Sequence, residues 1–322
     1  MADPKTLQDA IIHFSNPDNC LQYMVARRWP NGVVCPTCGS SNVRFLANQR
    51  RWECKSQHAK KQFSAKVGTI FEDSPLPLEK WLPAVWMLTG SKNGVSSWEL
   101  HRALGVTQKT AWFMLQRIRL AMQDENAGKL GGEIEVDETY IGGKARNMHA
   151  DKKARKLGGK GGGVVGKIGV QGMLQRDGEI RLSVIRDSRY ETLVPNVHAH
   201  IEKGAHLFTD EAKAYFGLQA EYVHDFINHA EAYANGQIHT NGLENFWSLL
   251  KRNLSGTYVS VEPFHLFRYL DEQAFRYNNR KDMTDADRFN AALSQIVGKR
   301  LTYKELTGKT GNEAEETRPE VF

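Results

Sequence analysis

Long apolar runs are missing from this chain. The longest, Trp81 to Leu88, covers eight positions, well short of the roughly 18 to 20 that a membrane-spanning helix needs. Met1 to Ser15 has neither the basic start nor the apolar stretch of a secretory signal. The protein is therefore expected to stay in the cytoplasm, with no membrane partner. Cysteine is scarce too: four in 322 residues cannot make a disulfide scaffold, yet three fall between positions 35 and 54 with His58 nearby, which points to metal. There is no internal repeat. A 40% hydrophobic and 25% charged composition excludes a disordered or fibrous chain, and the length allows two or three domains, at least one with a substantial core.

The net charge of +6 is modest but unevenly placed. Residues 27–67 carry nine Lys/Arg and one acid, residues 79–123 six and two, and residues 144–163 seven and one. Together these segments hold +18, which leaves about −12 for the remainder. Such segregation reads as nucleic-acid-facing surfaces on an acidic body; the plainer alternative for any one segment is a solvated face.

Five regions separate along the chain. Residues 1–26 place Leu7, Ala10, Ile11 and Phe14 at helical spacing. Residues 27–72 are short, basic and cysteine-bearing. Residues 73–127 contain Pro75 and Pro77 and then read as helices to Met122. Residues 128–280 open on glycines and change to strands over Ile134–Ile141, Val164–Leu174 and Ile180–Ile185. Helical and strand patterns then alternate: helix Glu191–Ile201, strand His206–Phe208, helix Ala212–Phe216, strand Tyr222–Phe226, helix Leu243–Leu250. Three adjacent strands followed by alternation predict an α/β domain with a mixed sheet and flanking helices. Helical pieces at Phe264–Tyr277 and Ala286–Val297 follow, and residues 281–322 end in an acidic tail expected to be mobile.

Three constellations carry chemistry. In the first, Cys35 and Cys38 form a Cys-x2-Cys knuckle, and Cys54 and His58 follow sixteen residues later. Two pairs of thiolate and imidazole donors across a hairpin-length spacer suit one tetrahedral Zn²⁺. Gln57 stands where a second Cys-x2-Cys pair would put its last ligand, so His58 is the expected fourth. Reduced cysteines in a small core are the alternative.

In the second, Trp98–Leu104, the turn Gly105-Val106-Thr107 and Lys109–Met122 resemble a helix-turn-helix. Ala111, Leu115 and Ile118 would be its buried face, and Gln108, Lys109 and Thr110 would be offered to a DNA groove. An αα-hairpin without DNA has the same spacing. Lys152, Lys153, Arg155 and Lys156 sit in the glycine-rich basic stretch Lys144–Gly163, which reads as a mobile DNA-contacting loop or else a solubilising hairpin.

The third is acidic. Asp137 interrupts a strand, where acids are depleted unless something binds them. Asp210 ends a strand, with a helix N-cap as its alternative role. Glu244 lies near a helix start, where Asn241 and Glu244 also have capping-box spacing. Lys251, seven residues on from Glu244, leaves the same helical face and could hold a phosphate or be an ordinary surface lysine. His239 and Asn241 could support this site or simply form a turn.

Together, Cys35-Pro-Thr-Cys38-Gly39, Phe63-Ser64, Gly68-Thr-Ile-Phe71, Val136-Asp137-Glu-Thr-Tyr140 with Gly142-Gly143-Lys144, Thr209-Asp210, and His239-Thr-Asn241-Gly-Leu-Glu244-Asn245-Phe-Trp247 with Lys251 resemble the bacterial insertion-sequence transposases that join a zinc ribbon to a DDE core, kin of the Merlin elements. The resemblance covers about residues 15–280. It implies a ribonuclease-H-like fold preceded by a zinc ribbon and a helix-turn-helix-like region. It implies two catalytic Mg²⁺ held by Asp137, Asp210 and Glu244, with Lys251 as the basic residue that follows the glutamate. The implied partners are double-stranded DNA, as element ends and target, and further copies of the chain assembled on that DNA at the nucleoid. The function expected is binding of terminal inverted repeats followed by end cleavage and strand transfer. A DNA-binding regulator with a silent core and a nuclease without strand transfer are the rival readings.

Overall fold

The structure, a computed structural model, describes residues 3–124, 127–143, 149–157, 164–210, 213–227 and 239–308. They fall into two units, one of residues 3–124 with 279–308 and one spanning 127–278.

The first unit begins with two helices rather than one: α1 (Leu7–Phe14), capped by a Thr6/Asp9 box, and α2 (Pro17–Arg28), capped by Asn16 with Pro17 at its first position. Three short antiparallel strands follow, β1 (Val43–Leu46), β2 (Arg51–Cys54) and β3 (Gln62–Phe63). Trp52 stacks on Phe63 across the ribbon, with ring centroids 5.9 Å apart, and meets Trp29 edge-on at 5.6 Å. Helix α3 (Leu78–Gly90) contains the Trp81–Leu88 run and buries it: Trp81, Leu82, Val85, Trp86 and Leu88 are all within 2% of complete burial.

After α3 come α4 (Ser97–Leu104) and α5 (Gln108–Met122). Gly105 ends α4 with φ 62°, a left-handed conformation that glycine reaches without steric cost, and this turns the chain into α5.

The second unit is built on β4 (Glu133–Ile141), β5 (Ile168–Gln175), β6 (Ile180–Ile185), β7 (His206–Asp210) and β8 (Val223–Ile227). Their spatial order is β6-β5-β4-β7-β8. The first three pair antiparallel; β4 with β7 and β7 with β8 pair parallel. This is the mixed sheet of a ribonuclease-H-like fold. Helix α6 (Ala150–Leu157) lies between β4 and β5, within a stretch expected to be loop. Helix α7 (Tyr190–His200) covers one sheet face with Ile134, Val136, Met173 and Leu193 in its core. Helices α8 (Asn241–Gly256) and α9 (Leu266–Asn278) cover the other over Val170, Leu174, Leu243 and Trp247. Strand alternation therefore sends Glu135 and Asp137 toward α8 and their neighbours Ile134, Val136 and Glu138 toward α7.

The chain then returns to the first unit. Helix α10 (Asp285–Ser294) puts Phe289 against Phe14 and Trp86, at 5.7 and 4.9 Å between centroids, and α11 (Tyr303–Leu306) follows. Two local expectations differ: Ala212–Phe216 holds a short 3-10 turn at Lys213–Tyr215, and the strand begun at Val164 starts at Ile168. The acidic tail beyond residue 308 lies outside the described residues.

Candidate metal centres and DNA-facing elements

The knuckle and hairpin of the first unit bring Cys35, Cys38, Cys54 and His58 together, with all four donor atoms within 4.8 Å of one another. Cys38 Sγ lies 3.7 Å from Cys54 Sγ, and Cys35 Sγ lies 3.5 Å from His58 Nε2. A tetrahedron with metal–sulfur bonds of about 2.3 Å and metal–nitrogen bonds of about 2.0 to 2.1 Å has edges of about 3.8 Å between sulfurs and about 3.5 Å from sulfur to nitrogen. Both spacings match. Cys35 and Cys54 are fully buried. Burial opposes ionisation of Cys54, but hydrogen bonds with His58, Ser56 and Cys38 bring its thiol down to about 6, toward the thiolate a metal requires. The three-cysteine, one-histidine set fits a structural Zn²⁺, which would take His58 as its fourth ligand and leave Gln57 outside.

The helix-turn-helix pair has Ala111, Leu115 and Ile118 buried as the spacing predicts. Of the three polar residues at the start of α5, Gln108 donates from Nε2 to Ser97 Oγ on α4 at 2.8 Å. Lys109 is exposed and lies 4.7 Å above the Tyr303 ring of α11, while Thr110 Oγ1 bonds the Thr107 cap at 2.8 Å. Lys144 and the glycines 158–163 lie outside the described residues, as do the side chains of Lys152, Arg155 and Lys156; Lys153 is half-buried on α6.

In the second unit, the ladder between β4 and β7 stops at Glu135 opposite Phe208. Asp137 and Asp210 each lie two residues further on, on the same sheet face, where β4 and β7 are no longer paired. The two carboxylates interact across that gap, and Glu244 on the first turn of α8 adds to the field at Asp137. Burial first, then these neighbouring charges, push the Asp137 carboxyl up to about 6, against the pull of a hydrogen bond from Trp247. Asp210 Oδ1 is buried with no hydrogen-bond partner among the described residues. A buried carboxylate oxygen left unpaired beside a second acid is costly unless a cation meets it, and carboxylate oxygens are the donors Mg²⁺ prefers. Among the described residues, only the sulfur site has three donors within 4.8 Å; the acids are more open, with Glu244 and Lys251 both exposed.

The capping alternative for Glu244 is not adopted. Thr240 precedes α8 without a side-chain cap, and Glu135 of β4 instead reaches over to accept from the Leu243 amide at 2.9 Å. His239 Nδ1 and Arg176 Nε lie 3.3 and 3.4 Å from the same Glu135 carboxylate, and among the described residues His239 Nδ1 makes no hydrogen bond.

Glu138 is a buried acid that singling out Asp137 overlooks. It faces α7 and accepts a hydrogen bond from the buried Tyr215 hydroxyl. Gln171, its cross-strand partner, donates to that hydroxyl at 3.2 Å. Four of the nine residues of β4 are acids. Burial, followed by the charges of Asp137 and Asp210, pushes Glu138 up to about 8. Between the ordinary value of 4.5 and about 8, the unfolded chain has released this proton while the folded chain keeps it, so folding loses stability as pH rises through that window. Glu138→Gln should therefore stabilise the metal-free protein at pH 8 by an amount on the order of 1 to 3 kcal/mol, read as a higher melting temperature, and change it little at pH 4.5. A gain that is equal at both pH values would contradict this origin.

Residues 15–59 match the family described as a transposase zinc-ribbon domain, and residues 129–278 match the ISXO2-like transposase domain. A protein from Halobacterium salinarum, described as an uncharacterized protein in the transposable element ISH50, is 29% identical over 242 residues, covering 71% of this chain and 80% of the relative. Among the described residues, no helix is long and apolar enough to cross a membrane.

Proposed function

Because the chain belongs to the insertion-sequence transposases that join a zinc ribbon to a DDE core, we propose that it binds the terminal inverted repeats of its own element in the cytoplasm. There it cleaves the ends and transfers them into target DNA. The observation that carries this reading is the Asp137–Asp210 pair at the parting of β4 and β7, with a buried oxygen on Asp210 that has no partner among the described residues.

In this reading Asp137, Asp210 and Glu244 hold Mg²⁺ by carboxylate oxygens. Two such ions would neutralise charge on the scissile phosphate and favour an ionised oxygen nucleophile. The nucleophile is water for cleavage and the freed 3′-OH for joining. The sheet fixes Asp137 and Asp210 on adjacent strands, while α8 presents Glu244 and, seven residues on, Lys251 toward the phosphate backbone. The ribbon and the start of α5, at Gln108, Lys109 and Thr110, engage DNA before chemistry. Copies of the chain assemble on the paired ends.

Purified protein incubated with Mg²⁺ and duplexes from the ends flanking its coding sequence should cut at the repeat boundary. Binding without cutting would identify a regulator, and cutting without joining a nuclease. Neutralising Lys152, Lys153, Arg155 and Lys156 should flatten the dependence of log affinity on log salt by up to about 0.9 for each phosphate that is no longer neutralised. An unaltered slope would remove α6 from the DNA interface.

A further inference from the structure

We propose that Trp247 is a positioning residue that fixes the rotation of the Asp137 carboxylate for metal binding, and that Gly172 is the opening in the sheet that lets its indole reach. This deepens the reading of Asp137 as a metal ligand and rests on it.

Trp247 lies on α8, three residues after Glu244, and is 5% exposed. Its indole N–H can only donate, and it donates to Asp137 Oδ2 at 2.8 Å. Asp137 stands directly opposite Gly172 in the ladder between β4 and β5. A Cβ built on Gly172 would lie 2.6 Å from both Cζ2 and Cη2 of the indole and 2.9 Å from Leu243 Cδ2. The ring therefore rests on bare backbone, and any side chain at 172 on that face would occupy its place.

A carboxylate held at one oxygen by a fixed donor has its remaining lone pairs aimed in a set direction, as in the outer-shell contacts that orient metal ligands. The same bond anchors α8 to β4. Glu244 and Trp247, three residues apart on that helix, lie on neighbouring parts of its surface, so one contact sets the strand acid and the helix acid relative to each other.

Trp247 could instead be a core ring that merely satisfies its N–H, and metal binding separates the two roles. Mn²⁺ binding is measured calorimetrically on the full chain, zinc-loaded and without DNA, with melting temperature as the control for folding. Trp247→Phe keeps an aromatic ring in the core and removes the donor. It should weaken Mn²⁺ binding by about tenfold or more, with little change in melting temperature. Gly172→Ala should weaken it similarly by displacing the indole. The double variant should bind no worse than Trp247→Phe alone, because the smaller ring clears the added methyl. Unchanged Mn²⁺ affinity in Trp247→Phe would overturn the positioning role, and losses that simply add in the double variant would overturn the part played by Gly172. Asp137→Asn is measured alongside: if it too leaves Mn²⁺ affinity intact, the metal-ligand reading itself fails, whereas a loss in Asp137→Asn without one in Trp247→Phe defeats only the positioning role.

Discussion

Cys54→Ser is expected to release the single Zn²⁺ of the ribbon and unfold the segment around it. The apolar material there is little more than the cluster of Trp29, Trp52 and Phe63, too small to offset the backbone entropy of some forty-odd residues at about 1 to 2 kcal/mol each. Structural zinc contributes about 10 to 16 kcal/mol in comparable small modules. Loss of one thiolate from a site whose donor spacings already fit a tetrahedron removes much of that. Metal analysis should find one zinc per chain in the parent and close to none in Cys54→Ser, with affinity for element ends falling alongside. His58→Ala should also lose zinc; an unchanged content would place the fourth ligand elsewhere.

Asp137→Asn and Asp210→Asn should each cut end joining by at least about a thousandfold, the scale of several kcal/mol of transition-state charge stabilisation. Neither change touches the ribbon or α5, so binding to element ends should persist at near the parental affinity. Asparagine also retains an oxygen that can accept from Trp247, so loss of packing is not an adequate explanation for the loss of chemistry. Binding and joining abolished together would instead assign these acids a structural role.

The zinc site was legible because its chemistry is local. A knuckle, a hairpin and four soft or borderline donors are specified within twenty-four residues, and the spacing alone names Cys35, Cys38, Cys54 and His58. The mixed direction of the sheet followed from three adjacent strands and then alternation, although the strand expected from Val164 begins at Ile168. The supporting groups were hidden for a physical reason. Trp247 and Asp137 are 110 positions apart, and their hydrogen bond exists only because Gly172, on a third element, leaves room. Glu135 reads as one more acid in an acidic strand until α8 is seen to start above it. Likewise, nothing in the helical pattern from Asp285 to Ser294 tells that α10 leaves the sheet and puts Phe289 against Phe14 and Trp86. Periodicity reports which face is apolar and is silent on what that face will meet.

On the proposed reading, Asp137, Asp210 and Glu244 form one metal-dependent phosphoryl-transfer site. Its most direct test is a joining assay on a duplex carrying an element end labelled so that the transferred 3′ strand is followed, mixed with unlabelled target duplex. The parent protein is compared with Asp137→Asn, with and without Mg²⁺. Labelled strand covalently joined to target, formed only by the parent and only with Mg²⁺, is the predicted result. Joined product at the parental rate from Asp137→Asn, or from the parent with divalent metal removed, would contradict it.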